Sequence, residues 1–432
     1  MPPLVRKTSV LALEELAMIR RSTCPDSFEH YGIPASRIKA THTYAGHGSE
    51  PMTDDSQLKD ILIKRVEAAG RITFAAFMEA CLYEPGLGYY TSPGRKVGAE
   101  GDFYTSISVH AAFGRVIARE IAQMWRCLGS PAPFTLVECG AGNGRLACDI
   151  MDYLAEREPG MYAGLDLVLV EREPSLQTAQ AELLIRHRER LRWLAPELFG
   201  TDGFSFSGCL YSNELIDALP VHRVVMTAEG LREIYVSLRD GGFAEEAGEL
   251  STPAIAAYLE RIGVTLLPGQ QAEVNLAAPE WLAAAARSLQ RGFVLTIDYG
   301  YPAEELYAPH RKQGTLLCYY RHQVEDDPYI RLGRQDITSH VDFTTLMRRG
   351  GGLGLQPAWF GEQYRFLLSA GIVEEIEEFE RSAASEEQKL KLRLALKKLI
   401  MPEGGMGDTF RVLVQSKGVE NPRLLCQRRI GG

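Results

Sequence analysis

The sequence predicts an α/β protein with a doubly wound sheet. Apolar stretches of strand length, Phe134–Val137, Leu165–Val170 and Phe293–Gly300, are separated by helical runs. A glycine turn joins the first of these strands to a helix, and the last apolar stretch, Phe410–Gln415, follows a long helix. Strands that alternate with helices and finish on a strand are typical of an open sheet covered by helices on both faces.

The glycine turn is the most distinctive stretch of the chain. The pattern E-x-G-x-G-x-G begins at Glu138, directly after the strand Phe134–Val137, and leads into the helical run Arg145–Leu154. Its three glycines are Gly140, Gly142 and Gly144. Ligands of open α/β sheets bind beyond the carboxyl ends of the strands, where glycines let a backbone approach closely. The turn therefore predicts a ligand site.

A second strand, Leu165–Val170, also ends in an acid, Glu171, which is suited to accept both hydroxyls of a ribose. The glycine spacing differs from the G-x-G-x-x-G pattern that binds a pyrophosphate, and Glu138 would repel one. The pattern instead favours a cationic, phosphate-free ligand such as S-adenosylmethionine. The alternative is an ordinary strand, turn and helix with surface acids.

The composition, 45% hydrophobic and 24% charged, is that of an ordinary globular protein. At 432 residues the chain holds two or three domains, or one large domain with insertions. Its formal net charge of -9 argues against non-specific nucleic-acid binding, which needs a basic face. No apolar run reaches the roughly 18 to 20 residues that span a bilayer, so we expect no transmembrane helix.

Eight cysteines are scattered singly, which predicts neither a disulfide framework nor a metal site. This usage favours a reducing compartment, the bacterial cytoplasm or alternatively the mitochondrial matrix. The N-terminus contains Glu14 and Glu15 and lacks a clean apolar core with a cleavage site. We therefore expect residues 1–54 to be an amphipathic extension and not a secretory signal, and an organelle-targeting role is the alternative.

Residues 55–130 are expected to form a helical preface with a glycine-rich loop. The loop, Tyr83–Ser106, is dense in glycine, proline and tyrosine, and Ser108 is expected to cap the amphipathic helix Val109–Leu128 after it. A loop of this length is typical of a lid or binding loop. The alternative is an Ω-loop that packs its own tyrosines.

Another group of polar residues follows a short strand near the middle of the chain. Asn213 and Glu214 stand at its carboxyl end, and Leu215–Leu219 is predicted to form a helical turn. In a helical turn Glu214 and Asp217 share one face, so two carboxylates would flank the ligand crevice. Alternatively, Asn213 only caps the turn and Asp217 is solvated. Asp298, at the end of a later strand, joins the same rim.

The ligand-binding core is expected to span residues 131–300 and to include a helix at Ser175–Arg190. The predicted segments after it are a substrate-side insertion, C-terminal helices with the last strand, and a tail, at residues 301–360, 361–418 and 419–432. His322 and His340 lack a metal-ligand partner at useful spacing, so both are expected to be structural or surface histidines.

Taken together, these motifs resemble the MidA family, the group that includes the mitochondrial complex I assembly factor 7 methyltransferases. The resemblance covers about Leu58 to Ser416. It rests on the stretches GDFYTS at Gly101–Ser106, VECGAGNGRL at Val137–Leu146, VEREPSLQ at Val170–Gln177, NELIDALPV at Asn213–Val221, DYG at Asp298–Gly300, GTLLCYYRH at Gly314–His322 and DITSHVDF at Asp336–Phe343.

The resemblance implies a Rossmann-like class I methyltransferase fold, mostly parallel with an antiparallel last strand and additional helical segments. It implies S-adenosyl-L-methionine as the cofactor. The residues expected to bind it are Glu138, Gly140, Gly142, Asn143, Gly144 and Glu171, with Gly101, Asp102 and Thr105 of the lid loop. The expected catalytic residues are Asn213, Glu214 and Asp217. Cys139 replaces a residue that is more often aliphatic, with no expected effect on binding.

The best understood branch of the family is implied to methylate an arginine of a respiratory NADH dehydrogenase subunit and to assist assembly of that complex. The resemblance therefore implies a protein arginine methyltransferase whose partner is such a subunit, and we expect no nucleic acid and no membrane insertion. The paired-glutamate hairpin and T-H-W signature of classical arginine methyltransferases are absent, so the arginine assignment depends on the resemblance. A non-catalytic assembly factor and a small-molecule methyltransferase are the alternatives. The sequence does not fix the oligomeric state, and a homodimer is one option.

Overall fold

The computed structural model describes residues 56–92, 111–321, 323–400 and 409–429. The predicted extension at residues 1–54, the cap Ser108 and His322 lie outside the described residues, as do the lid-loop residues Gly101, Asp102 and Thr105. Expectations for these residues stay predictions.

The described helices are numbered in chain order. They are α1 (Ser56–Ala69), α2 (Phe74–Tyr83), α3 (Ala112–Cys127), α4 (Arg145–Arg157), α5 (Pro159–Ala163), α6 (Pro174–Leu183), α7 (Ala254–Ile262), α8 (Ala277–Ser288), α9 (Ala303–Leu306), α10 (Phe343–Gly352), α11 (Gln363–Ala370), α12 (Ile372–Arg381) and α13 (Glu386–Ile400). Short 3₁₀ turns lie at Ile185–His187, Pro196–Leu198 and Leu425–Gln427. None of the helices in the described ranges is long and apolar enough to cross a membrane.

The described strands are β1 (Ile72–Thr73), β2 (Phe134–Cys139), β3 (Leu165–Val170), β4 (Leu191–Leu194), β5 (Phe206–Asn213), β6 (His222–Thr227), β7 (Gly230–Arg239), β8 (Gly242–Gly248), β9 (Gln271–Val274), β10 (Leu289–Tyr301), β11 (Leu317–Tyr320), β12 (Gln323–Glu325), β13 (Asp336–Thr338), β14 (Val341–Asp342), β15 (Gln356–Glu362) and β16 (Phe410–Lys417).

Eight strands form the main sheet, in the order β15-β16-β10-β5-β2-β3-β4, with β14 paired to β10. The five strands from β4 to β10 run parallel to one another, whereas β16 is antiparallel to both β10 and β15. This confirms the expected mostly parallel, doubly wound sheet with an antiparallel last strand. Parallel strands place their carboxyl ends at one edge, where a ligand crevice forms.

Helices cover both faces of this sheet. One buried apolar cluster joins it to the helices α3, α4 and α11, and a second joins the opposite face to α8 and α10. The strands β2, β3, β5 and β10 are buried almost throughout, because they lie between these two layers.

A second, five-stranded antiparallel sheet combines β1 with the strands β6 to β9, which are inserted in the chain between β5 and β10. Its order is β1-β7-β6-β9, with β8 paired to β7. The sequence predicts only the central strand, at Leu231–Leu238, and places the whole stretch within the core. A third apolar cluster packs this sheet against α1 and α2, the two helices that lie within the helical segment expected at residues 55–130.

The predicted insertion at residues 301–360 is only partly separate. A small sheet, β12-β11-β13, lies within it, but β15 pairs with β16 along the edge of the main sheet. The helix α10 also packs on the main sheet. The predicted boundary near residue 360 falls within β15, whose apolar pattern is interrupted in the sequence by Pro357 and Gly361.

Three local expectations also differ from the structure. The helix predicted at Ser175–Arg190 ends at Leu183, and a 3₁₀ turn follows it. The residues Leu215–Leu219 form an irregular turn and not a helical one. The predicted tail packs on the body of the protein, since Leu424, Leu425 and Cys426 are buried.

Candidate active site

The glycine turn lies directly after β2, at the carboxyl edge of the main sheet. Its three glycines have φ angles in the left-handed region, 77° at Gly140, 52° at Gly142 and 85° at Gly144. Residues with a side chain rarely adopt these angles, which explains why the sequence repeats glycine here.

Two of these glycines also allow close packing. A Cβ atom at Gly140 would lie 3.0 Å from Leu215, and one at Gly144 would lie 3.1 Å from the Gln180 Cγ atom. A Cβ at Gly142 would meet no described atom within 4 Å. The middle of the turn thus faces open space, where a ligand can approach the backbone.

Glu138 lies beneath the turn and is almost completely buried. The Tyr211 hydroxyl donates a hydrogen bond of 3.0 Å to its Oε2 atom. Burial raises the pKa of Glu138 to about 8, and the Tyr211 bond acts in the opposite direction. Glu138 therefore links β2 to β5 through this hydrogen bond. Its contact with a cofactor stays a prediction.

Glu171 follows β3 and is half-buried at the same edge. Its Oε1 atom accepts hydrogen bonds of 2.9 Å from the backbone N–H groups of Arg172 and Glu173. Burial raises the pKa of Glu171, whereas these donors lower it. The carboxylate is thus held by its own backbone in the position expected for a ribose acceptor.

Asn143, the other predicted cofactor contact in the turn, is exposed. Its Oδ1 atom accepts a hydrogen bond of 3.1 Å from the Arg145 N–H at the start of α4. In the structure it accepts from a backbone donor just inside this helix, whose N-cap is Gly144, and a role towards the cofactor stays a prediction.

Gln180 is a site residue that the sequence reasoning missed. It lies on α6 and is fully buried, and its amide contacts both the glycine turn and Glu171. Gln180 is the only buried residue of α6, whose sequence shows no apolar stripe, so the sequence gives no signal of what this side chain contacts.

Opposite the glycine turn, the turn after β5 carries the predicted catalytic residues. The Asn213 Nδ2 atom donates to the Glu214 Oε1 atom over 2.8 Å. Glu214 has a φ angle of 52°, unusual for a residue with a side chain, and its N–H donates to the Ile297 carbonyl of β10 over 2.9 Å. This conformation ends β5 and replaces the predicted helical turn.

Asp298 holds that turn in place. Its Oδ2 atom accepts hydrogen bonds from the backbone N–H groups of Leu215 and Ile216, at 3.2 Å and 2.8 Å, and its Oδ1 atom accepts one from Tyr299. Burial raises the pKa of Asp298 to about 7, and these donors oppose the shift. Asp298 therefore lies on the rim as expected, as an anchor for its backbone.

Asp217 is buried in the same turn, which contradicts the solvated alternative. Burial raises its pKa well above the ordinary value, and the nearby carboxylates of Asp298, Asp336 and Glu214 raise it further. The structure thus brings Glu214 and Asp217 together, as expected, although through an irregular turn.

Asp336 and a group of tyrosines complete this acidic side, and the sequence reasoning did not single them out. The Tyr90 hydroxyl donates to both oxygens of Asp336, at 2.9 Å and 2.8 Å. The Tyr83 hydroxyl donates to the Ala218 carbonyl over 3.0 Å, and its ring stacks on Tyr90. Up to Ser92, the loop therefore packs its tyrosines inward, as the Ω-loop alternative describes.

The remaining histidine prediction agrees with the structure. His340 stacks near Tyr299, with ring centroids 6.3 Å apart, and burial lowers its pKa to about 4. Across the described ranges, no cluster of histidine, cysteine and acidic side chains is arranged to hold a metal ion.

The fold and this edge of the sheet define a class of protein, an α/β protein whose glycine turn and acidic side chains lie at the carboxyl ends of parallel strands. The model of a family of S-adenosyl-L-methionine-dependent methyltransferases matches residues 116–361. The chain belongs to this family.

Curated relatives and a solved structure agree with that assignment. The chain is 28% identical to the "Protein arginine methyltransferase NDUFAF7 homolog, mitochondrial" of Drosophila melanogaster, over 87% of this chain and 86% of the relative. It is 28% identical to "Protein arginine methyltransferase NDUFAF7, mitochondrial" of Mus musculus, over 84% and 85%. A methyl transferase superfamily member from Burkholderia thailandensis, crystallised with S-adenosyl-homocysteine, has a TM-score of 0.78 and 32% identity, covering 87% of this chain and 95% of that one.

The residues present fit S-adenosyl-L-methionine. Gly142 leaves open space over the turn, and Glu171 offers a fixed carboxylate at the end of the next strand. An acidic rim suits the positive sulfonium, which supplies the transferable methyl group when the cofactor is bound. The protein is therefore an S-adenosyl-L-methionine-dependent methyltransferase.

Proposed function

We propose that the methyl group is transferred to an arginine side chain of a protein. The observation that carries this proposal is the cluster of buried or half-buried carboxylates at the ends of β5, β10 and β13, formed by Glu214, Asp217, Asp298 and Asp336. Burial raises the pKa of Asp217, and the neighbouring carboxylates raise it further, because like charges this close destabilise one another. A cationic acceptor would relieve that repulsion.

A guanidinium fits this cluster better than an ammonium does. It is planar and donates through several N–H groups. The tyrosines Tyr83, Tyr299 and Tyr319 lie beside the acids: burial raises the pKa of each hydroxyl, and nearby carboxylates, that of Asp217 among them, raise it further. The carboxylates and phenol oxygens would thus offer several acceptors for the N–H groups of a guanidinium.

Glu214 and Asp217 would act by binding the acceptor in line with the methyl group. A guanidinium nitrogen has little free lone-pair density, because the charge is delocalised over three nitrogens. Carboxylates that bind the other two nitrogens would favour the positive charge there and leave the third able to attack. The nitrogen–carbon bond would form as the sulfur–carbon bond of the cofactor breaks, which leaves S-adenosyl-homocysteine. The proton lost from the methylated nitrogen would pass to one of these carboxylates. Asn213 would fix the Glu214 carboxylate through its hydrogen bond of 2.8 Å.

The relatives' names support an arginine acceptor, since two curated relatives are named protein arginine methyltransferases. By the same resemblance, we infer that the acceptor is a subunit of a respiratory NADH dehydrogenase. All seven cysteines that the structure describes are free thiols, in keeping with a reducing compartment such as a bacterial cytoplasm or a mitochondrial matrix.

Proteomics tests the acceptor directly. Deleting the gene should remove one arginine methylation from the proteome, detected by mass spectrometry, and expressing the wild-type chain should restore it. Expressing Glu214→Gln should not restore it. Loss of a methylated lysine or of a methylated metabolite would contradict the arginine proposal. Assembly of the partner complex restored by Glu214→Gln would instead support a non-catalytic assembly role.

A further inference from the structure

Gln180 connects the two halves of the cofactor site. Its Nε2 atom donates to the Gly142 carbonyl over 2.8 Å and to the Glu171 Oε2 atom over 3.3 Å. The Gln180 side chain has no exposed surface. One buried amide therefore contacts both the glycine turn and the acid at the end of β3.

Trp193, on β4, fixes the orientation of this amide. The indole Nε1–H can only donate a hydrogen bond, and it donates to the Gln180 Oε1 atom over 2.8 Å. The amide nitrogen must then face the other way, towards Gly142 and Glu171. All three polar contacts are satisfied in this orientation, and in the flipped orientation none would be.

The hydrogen bond from Gln180 completes the set of donors to the Glu171 carboxylate. The Oε1 atom is held by two backbone N–H groups, and Gln180 holds the Oε2 atom. Donors to the ionised form favour it, so they oppose the effect of burial on this carboxylate. An ionised carboxylate in a fixed orientation is what a ribose diol requires as an acceptor.

The contact with the turn has a different effect. The Gly142 carbonyl is directed at α6, and the close approach of Gly144 to Gln180 packs the turn against the same helix. The backbone around Gly142 thus keeps one conformation, with its open side free for the cofactor.

We propose that Gln180 is a positioning residue of the cofactor site, which orients the Glu171 carboxylate towards the ribose hydroxyls and holds the Gly142 carbonyl away from them. Gln180 acts through these two groups and does not touch the reacting atoms. Its removal should weaken cofactor binding and leave the methyl-transfer step nearly unchanged.

A double-mutant cycle measures this action. Calorimetry with S-adenosyl-homocysteine should show that Gln180→Met, which keeps the length but not the amide, weakens binding by about tenfold. In the Glu171→Ala background, the same substitution should cost much less, because its main partner is gone. An equal loss of affinity in both backgrounds would overturn the proposal and show a merely structural role.

A pH profile gives a second readout. Gln180→Glu keeps the shape and the acceptor for Trp193, but it places a second carboxyl group against Glu171. At low pH the pair shares a proton, which keeps the contact with Glu171 and loses only the one with Gly142, so binding should be closest to wild type there. Between about pH 6 and pH 9 the affinity for S-adenosyl-homocysteine should fall by about tenfold, since ionised neighbours repel and distort the acceptor.

Gln177→Glu is the matched control, because Gln177 lies on the same helix and donates to the Glu171 backbone carbonyl over 3.0 Å. This change adds the same charge at a half-exposed position, and the affinity for S-adenosyl-homocysteine should not fall across that pH range. A flat profile for Gln180→Glu, or the same profile for both variants, would overturn the proposal. If Gln180→Glu does not fold, the Gln180→Met cycle alone decides.

Discussion

The part of the site expected to bind the cofactor and the part expected to bind the methyl acceptor are built in different ways. The cofactor side, from Glu138 to Gln180, comes from one continuous stretch of chain, and backbone N–H groups hold Glu171 there. The acceptor side combines β5, β10, β13 and the loop after α2, and side chains hold it together across long distances in sequence.

This difference separates the consequences of mutation. A local, backbone-held site loses affinity when one contact is removed, while its shape persists. A site assembled from distant segments depends on each linking side chain, so its geometry and its chemistry are both at risk. Cofactor-side substitutions should therefore affect binding, and acceptor-side substitutions should affect turnover or folding.

The largest effect is expected for Glu214→Gln, which keeps the shape of the residue and removes the charge. That charge matters most in the transition state, so turnover should fall by about two to three powers of ten, the usual size for one preorganised electrostatic contact. The affinity for S-adenosyl-homocysteine should hardly change. Single-turnover kinetics on the identified acceptor and calorimetry measure the two quantities.

Asp217→Asn serves as the comparison within the acceptor side, and we expect a smaller loss of turnover. Asp217 is buried among other acids and has a raised pKa, so the substitution removes less charge than it does at Glu214. Wild-type turnover by Glu214→Gln would contradict the role assigned to this carboxylate.

Glu171→Ala should have the next largest effect, on the cofactor side alone. Removing a charged acceptor should weaken cofactor binding by about 1.5 to 3 kcal/mol, the range for hydrogen bonds that involve a charged group. Turnover at saturating cofactor should stay within a few-fold of wild type. A wild-type chain that prefers NAD over S-adenosyl-L-methionine in calorimetry would contradict the assignment of this side.

The same difference explains what the sequence could predict. The glycine pattern and the acid at the end of β3 are local signals, and the structure places Gly140, Gly142, Gly144 and Glu171 at one edge as expected. The hydrogen bond between Tyr90 and Asp336 joins residues 246 positions apart, and periodicity carries no information about such a pair.

The main sheet follows the same pattern. Its parallel strands are apolar runs that the sequence reveals, because burial on both faces demands them. The edge strand β15 is half-exposed and interrupted by Pro357, so it leaves little signal. The turn at Glu214 was expected to be helical, and the observed turn depends instead on the Asp298 carboxylate, which approaches from β10.

Asp298→Asn tests that dependence. The amide can accept from only one side, so at least one of the N–H groups of Leu215, Ile216 and Tyr299 loses its acceptor. Unfolding in urea should show a loss of about 1 to 3 kcal/mol, together with reduced turnover. A stable variant with normal turnover would show that the turn does not need this anchor.

The last prediction concerns the pH dependence of stability and rests on Glu138, beneath the glycine turn. Burial raises its pKa from an ordinary value near 4.5 to about 8, so the folded state binds more protons than the unfolded state between these two values. Its contribution to stability is thus fully present below about pH 4.5 and is lost as the pH rises towards 8.

The pKa values of other groups also shift within this pH range, so the pH dependence of stability in wild type alone does not isolate Glu138. Glu120 and Asp298 have pKa values raised to about 7, whereas burial lowers the pKa of His340 to about 4 and acts in the opposite direction on stability. The difference between wild type and Glu138→Gln isolates Glu138, because the glutamine does not titrate and the other groups cancel.

The free energy of unfolding of wild type, relative to Glu138→Gln, should therefore decrease between about pH 4.5 and pH 8 and then level off. The total decrease is on the order of a few kcal/mol, because each unit of pKa shift corresponds to about 1.4 kcal/mol. Urea unfolding of both variants at several pH values measures it, and Tyr211→Phe should enlarge the decrease, since the hydroxyl that favours the ionised carboxylate is gone. If the difference in unfolding free energy between the two variants is independent of pH, the prediction is contradicted. Glu138 would then already be ionised at pH 5 and would not be neutral beneath the turn.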